Sequence, residues 1–228
     1  MPADPPDGMR KCEVLDLGRL DWREAFRIQQ QFVEERKRGE GCDRLLFVEH
    51  PHVVTMGRNA KEQHVLASPR VLERAGVLFV ETDRGGDATY HGPGQLVGYP
   101  ILDLREWRRD VRAYFQAIEQ LLIDGLATLG VEASGNQEPR HEGVWVAGAK
   151  LAAIGIHISR WITSHGFALN VDTDLSYFHY IVPCGLDKPV CSLRSLGCLA
   201  GREEVQQAIA ASFAKTFKYE LVLAHQEV

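Results

Sequence analysis

The chain has 228 residues, 45% hydrophobic and 25% charged, and a formal net charge of −5. Those values describe one soluble globular domain, and the acidic balance argues against a general nucleic-acid binder. No apolar run approaches the roughly 20 residues of a membrane helix, and Met1-Pro-Ala-Asp-Pro-Pro-Asp-Gly lacks the apolar centre of a secretory signal.

In chain order, residues 1–10 read as a flexible leader and 11–228 as a single domain. Residues 13–17 are a short strand. A helix follows over 21–37, with Trp22, Phe26, Gln29 or Gln30, and Val33 at helical spacing. Arg44-Leu-Leu-Phe-Val-Glu is a strand that Pro51 interrupts and His52-Val-Val-Thr-Met resumes. Ser68 and Pro69 suit a helix cap and its first position, Gly76 ends that helix, and residues 77–81 form the next strand. Residues 96–102 are extended, with Pro100 pointing to an edge or a bend. The longest amphipathic pattern, 110–129, predicts a helix packed across a sheet, and the polar stretch 134–143 a loop. Strands follow over 143–146, 150–159 and 167–171, the first two joined by a hairpin at Ala147-Gly-Ala. A last helix covers 202–218. Strands and helices mix without strict alternation. The expected class is therefore α/β (α+β) with a mixed sheet, not a doubly wound parallel one.

Arg84-Gly-Gly-Asp-Ala-Thr-Tyr-His-Gly-Pro-Gly-Gln-Leu-Val-Gly-Tyr is the most informative stretch. It is too rich in glycine for a packed strand and too rich in rings for a solvent linker. It reads as backbone folded tightly against a ligand, with a few polar groups aimed inward. It carries neither Gly-x-x-x-x-Gly-Lys nor Gly-x-Gly-x-x-Gly, so it is no phosphate motif. Its N–H groups can form an oxyanion site.

With five cysteines and no secretion signal, free thiols in a reducing cytoplasm are expected. Cys184, between Pro183 and Gly185, has the open context of a reactive thiol; the alternative is an ordinary thiol. Cys191 and Cys198 lie in apolar runs, and Cys12 and Cys42 near loop or helix edges. The seven-residue spacing of 184, 191 and 198 does not match a structural zinc site. Lys150 opens the apolar run Leu-Ala-Ala-Ile-Gly. Half-buried, it can act as a base or hold a thiolate; otherwise it reaches from the strand end to water. His91 and His165 each precede a glycine and read as a base, a polar wall or a structural histidine. Asn170 donates to a carbonyl or caps a turn.

These pieces together resemble the lipoyl(octanoyl) transferase (LipB) family of lipoate biosynthesis. The resemblance rests on the 84–100 motif, Gly143-Val-Trp, Lys150-Leu-Ala-Ala-Ile-Gly, His165-Gly-Phe-Ala-Leu-Asn-Val and Ile181-Val-Pro-Cys-Gly-Leu, and spans about residues 13–217. It implies a larger mixed sheet and a smaller one with flanking helices, similar to the catalytic domain of biotin and lipoate protein ligases. It implies Cys184 as the acyl-thioester nucleophile, with Lys150 lowering its pKa. It implies a substrate pocket of Arg84, Gly85, Gly86, Asp87, Ala88, Thr89, Tyr90 and His91, with Ala153, Ile154, Gly155, Gly166, Phe167 and Ala168, and His165 and Asn170 in support. The implied donor is octanoyl-acyl carrier protein. The implied acceptors are lipoyl domains of 2-oxoacid dehydrogenase E2 subunits and the glycine cleavage H protein. No ATP, metal, nucleic acid or membrane is implied.

Acyl carrier proteins are acidic, and Arg105, Arg108, Arg109 and Arg112 offer a docking face; the alternative is a solvated helix start. The rival readings are an ATP-dependent lipoate or biotin ligase on the same fold, a cysteine hydrolase using His91 or His165, and a non-enzymatic acyl-binding module.

Overall fold

The computed structural model describes residues 9–135, 142–182 and 188–224. In chain order these form β1 (Arg10–Arg19), α1 (Trp22–Arg38), β2 (Asp43–Glu49), β3 (Val53–Met56), α2 (Pro69–Arg74) and β4 (Leu78–Glu81). The glycine-rich stretch supplies β5 (Ala88–His91) and β6 (Gln95–Ile101). There follow α3 (Val111–Thr128), β7 (Ser134–Gly135), β8 (Val144–Val146), β9 (Ala149–Ser159), β10 (Ile162–Asn170), α4 (Arg202–Phe217) and β11 (Tyr219–Leu223).

The larger sheet runs β11-β1-β2-β6-β10-β9-β8-β7 and the smaller one β4-β3-β5. Both are mixed. β1 is parallel to β2 and β11, while β6, β10, β9 and β8 continue antiparallel; β3 is parallel to β4 and antiparallel to β5. The class is the α/β one read from the sequence.

Helices cover both faces of the larger sheet. α1 turns Trp22, Ala25, Gln29 and Val33 inward, at intervals of three and four, against β6 and β10. Asp21 caps it by accepting from Arg23 N (2.8 Å), and Gly39, at φ +78°, closes it. On the other face Tyr114, Ile118, Leu121 and Leu122 of α3 meet Ile209, Phe213 and Phe217 of α4 over Phe47, Leu96 and Leu169. Each such fully buried large side chain contributes about 1.5–3 kcal/mol. Near the α1 end of the sheet Arg36 is 6% exposed, with Nε 3.1 Å from Asp43 Oδ1 and Nη2 3.1 Å from Glu106 Oε1. Asp43 also accepts from Asp103 N (2.9 Å) and from the Tyr219 hydroxyl.

Several expectations need correction. β6 is neither an edge nor a bend: it is central, buried along its whole length, and contains Gly98 as well as Pro100. Gly98 is tolerated in this packed strand because the Phe167 ring occupies the space a Cβ would need. Pro100 is tolerated because β10 offers no ladder partner there. β10 pairs with β6 from Asn170 to Phe167 and rejoins the chain at the Ile162–Asp103 bridge. Opposite Pro100 stands His165 in the left-handed region, φ +55°. Its N–H turns to Gln29 Oε1 (2.9 Å), and Pro100 O accepts instead from the Thr163 hydroxyl (2.7 Å). Thr163 Oγ1 also accepts from Leu102 N (2.8 Å), so a helix side chain and a hydroxyl replace the missing rung.

Cys12 lies inside β1, fully buried, not at an edge. Ser68 precedes α2 without a side-chain cap, whereas Gly76 closes that helix as expected, at φ +66°, with its N–H donating to Glu73 O (3.0 Å) and Val77 N to Leu72 O (2.9 Å). In the expected 134–143 loop, Ser134–Gly135 pair with β8, and residues 136–141 lie outside the described residues. The hairpin at Ala147-Gly148 forms as expected, with φ of +47° and +81°, the left-handed pair a tight two-residue turn needs. β11 and the 3₁₀ turns at Leu175–Tyr180 and Arg194–Leu196 carry no signal used above.

Candidate active site

A cavity of about 1110 Å³ lies against β5, β6, β9 and β10, with Trp22 of α1 and Phe115 of α3 on its wall. The glycine-rich loop forms one side. Gly85 N donates to Ile156 O on β9 (2.9 Å). Gly86 sits at φ +84°, and a Cβ on Gly57 would overlap its carbonyl, so two backbones touch here as the composition predicted. Arg84, 7% exposed, ties the loop to β3: Nε and Nη2 donate to Thr55 Oγ1 (3.2 and 2.9 Å), and Nη2 donates to Thr55 O (2.7 Å).

Most of the expected residues come together. Arg84 to Thr89 and His91 line the cavity, as do Lys150, Ala153, Ile154, Gly155, His165, Gly166, Phe167 and Ala168. Tyr90 does not. Strand alternation turns it to the opposite face of β5, where it stacks on Tyr177 and meets His52 Nδ1 through its hydroxyl (2.7 Å). Asn170 acts behind the wall. His91 Nδ1 donates to Gln95 Oε1 (2.8 Å), Gln95 Nε2 to Asn170 Oδ1 (2.9 Å), and Asn170 Nδ2 to Cys191 O (3.0 Å).

Burial sets the histidines' chemistry. His91 is pushed down to about 3 by desolvation, so it stays neutral and is a poor base. His165 is also lowered, chiefly by burial, while Asp83, whose oxygen lies 2.8 Å from Nε2, opposes that shift. The same hydrogen bond pulls Asp83 down to about 2. The His165 ring stacks on Phe26 at 5.4 Å. Both rings therefore serve as fixed polar wall.

Lys150 is 6% exposed, its Nζ 5.0 Å from the centre of the Trp145 ring, where the indole face favours a cation. Its N–H donates to Pro189 O (2.9 Å) and its carbonyl accepts from Cys191 N (3.0 Å). Upstream, Val182 N donates to His64 O (2.8 Å). Cys184 lies outside the described residues, but the chain on both sides of 183–187 is thus tied to residues on the cavity wall. Burial raises the Cys12 and Cys42 thiols and takes that of Cys191 to about 11. Among the arginines, Arg105 is paired with Asp103 and Arg108 with Asp110 (3.2 Å), while Arg112 reaches the cavity.

Trp22, Val97, Tyr99, Lys61 and His64 also line the cavity and were not read as site residues. Trp22 sits in a strongly periodic helix that looks like core, and Val97 and Tyr99 in the extended run 96–102. The last two lie in an aperiodic connection, 57–67, where only the imidazole itself was a signal. Among the described residues no helix is long and apolar enough to cross a membrane, and no group of three or more His, Cys, Asp and Glu is placed to hold a metal.

The description "Lipoyl protein ligase A/B catalytic domain" fits residues 21–214. An octanoyltransferase of Solibacter usitatus is 56% identical, over 94% of this chain and 96% of its own. One of Koribacter versatilis is 48% identical, over 92% and 86%. A bi-partite lipoate protein ligase of Thermoplasma acidophilum shares the fold, with a TM-score of 0.75 at 17% identity over 94% of this chain and 87% of that one. By sequence and by fold, the chain belongs to the lipoyl protein ligase A/B catalytic-domain family and, within it, to the octanoyltransferases.

Proposed function

We propose that the chain transfers octanoyl from octanoyl-acyl carrier protein to the lysine amine of a lipoyl domain through a thioester on Cys184. The observation that carries this reading is the position of Lys150: a buried lysine in the wall of a largely apolar cavity, hydrogen-bonded through its backbone to the chain just after residues 183–187. An ammonium there stabilises a thiolate on Cys184, and the thiolate is the nucleophile. It attacks the octanoyl carbonyl, and backbone N–H groups of the glycine-rich wall steady the oxyanion. The pantetheine thiol leaves. The lysine amine of the acceptor then attacks the acyl-enzyme, an amide forms and Cys184 is released.

The first exchange, thioester for thioester, is near balance. The second, thioester to amide, runs downhill, so the sequence needs neither ATP nor a metal. The eight-carbon chain lies along Ala153, Ala168 and Val97. Donors and acceptors are two proteins visiting one cavity in turn, which gives ping-pong kinetics. The acidic carrier docks over Arg108, Arg109 and Arg112. Acceptors are lipoyl domains of 2-oxoacid dehydrogenases and the glycine cleavage H protein, the setting is the cytoplasm, and 11–228 act as one unit behind the leader 1–10.

Intact-protein mass spectrometry tests this. Mixed with octanoyl-acyl carrier protein without ATP, the chain gains one octanoyl group. The adduct is absent in Cys184→Ser, and Lys150→Ala slows its formation by about 100-fold or more. A lipoyl domain discharges it. Acceptor modification only with ATP and free acid would establish a ligase instead.

A further inference from the structure

The acceptor lysine poses a problem that the residues above leave open. Near pH 7 only about one amine in a few thousand is unprotonated, given an ordinary lysine pKa near 10.4, and an ammonium cannot attack a thioester. His91 is neutral but commits Nδ1 to Gln95 and turns Nε2 toward Thr55 Oγ1 (3.4 Å). His165 presents Nε2 to Asp83. Both nitrogens of His91 are thus engaged, and the His165 ring is 2% exposed and stacked on Trp22 and Phe26.

His64 differs. It ends a single 3₁₀ turn, Glu62–His64, on the cavity wall, with Nδ1 2.7 Å from Asp87 Oδ1. An ionised carboxylate only accepts, so the proton of the neutral ring sits on Nδ1 and the lone pair on Nε2. Among the described residues nothing hydrogen-bonds Nε2. Asp87 is itself fixed, accepting from Ala88 N through the same oxygen (2.6 Å). The carbonyl of His64 holds Val182, and the next residue, Val65, bridges to Ile181. An oriented base therefore stands on the cavity wall where the chain runs toward the proposed nucleophile.

We propose that His64, oriented by Asp87, is the general base that deprotonates the acceptor lysine for the second half-reaction. The assignment rests on the octanoyltransferase reading. The acceptor ammonium gives one proton to His64 Nε2, and the neutral nitrogen forms the N–C bond to the acyl carbon. The C–S bond to the enzyme breaks, and the departing sulfur takes the second proton from that nitrogen. His64 returns its proton to water. Acylation of the enzyme needs none of these transfers, so His64 acts in one half-reaction only.

The two half-reactions are measured separately. Enzyme is mixed with octanoyl-acyl carrier protein and adduct formation is followed by mass; isolated acyl-enzyme is then mixed with a lipoyl domain and amide formation is followed. For His64→Gln we expect transfer to the domain to fall about 100-fold or more, the usual contribution of a general base, with acylation within about threefold of wild type. Asp87→Ala gives the second test. Without the oxygen that holds Nδ1–H the ring is no longer oriented, and transfer falls more than acylation does. Added imidazole restores part of the transfer rate in His64→Ala. Equal losses in both half-reactions, or transfer unaffected by either substitution, would overturn the assignment. A wild-type enzyme that never forms the adduct would overturn the parent reading first, and this one with it.

Discussion

Replacing Ala168 with leucine should shorten the acyl chain that the enzyme prefers. Ala168 is 4% exposed and lies between Ala153 of β9 and Val97 of β6, its cross-strand neighbours in the cavity wall. Leucine adds three carbon atoms to that wall and displaces about three methylenes of a bound chain. At about 0.8 kcal/mol each, the octanoyl substrate loses about 2.4 kcal/mol, or roughly 60-fold in kcat/KM. Butanoyl, too short to reach the new side chain, keeps its rate. The assay is the acylation rate for carrier thioesters of increasing chain length. A thermal melt run alongside detects overpacking, which typically costs about 1–3 kcal/mol. A uniform loss at every length would refute the reasoning, because a lost fold does not discriminate by chain length. An unchanged length profile would refute it too, by removing the chain from this wall.

Acid should destabilise the protein through two buried histidines. Burial holds His91 near 3 and His50 near 4. For groups depressed in this way stability is full above the unfolded value near 6.5 and is lost as pH falls toward the folded ones. His91→Gln should flatten urea-derived stability between pH 6 and 4 by about 1.4 kcal/mol per pH unit, and an unaltered slope would count against a neutral His91. Arg36→Met takes the closest cation from buried Asp43, leaving it only Arg10 at 3.9 Å, and should cost about 3–5 kcal/mol in urea melts; a loss below about 1 kcal/mol would show that the cluster carries little stability. Arg108→Glu with Arg109→Glu should raise KM for the acyl carrier protein about tenfold and weaken its salt dependence, while octanoyl-pantetheine kinetics stay unchanged. A defect confined to the lipoyl-domain acceptor would move the docking face elsewhere.

Much of the fold was legible because its signals are local. α1 and α3 show clean helical periods, and Ala147-Gly148 carries its own turn chemistry. The glycine-rich stretch announced a tight backbone against a cavity. What stayed hidden depends on partners distant in sequence. Pro100 reads as an edge residue until His165 is seen to withhold a rung from it. Gly98 reads as a weak point in an extended run until Phe167 is seen to fill its space. Tyr90 sits among pocket residues in the sequence, yet strand alternation turns it away. His64 meets Asp87 across the distance between a 3₁₀ turn and β5, which no local pattern encodes. β11 depends on β1, whose strand begins at the opposite end of the chain.

The repaired rung at Pro100 makes helix docking and sheet closure a single cooperative event. The Gln29 side chain holds the amide that β6 cannot, so lifting α1 exposes the His165 N–H and leaves β10 and β6 joined only above and below it. In hydrogen exchange, the His165 amide should open with α1 rather than with its neighbours in β10. That one amide reports whether the α1-side wall of the cavity is assembled, since α1 also carries Trp22.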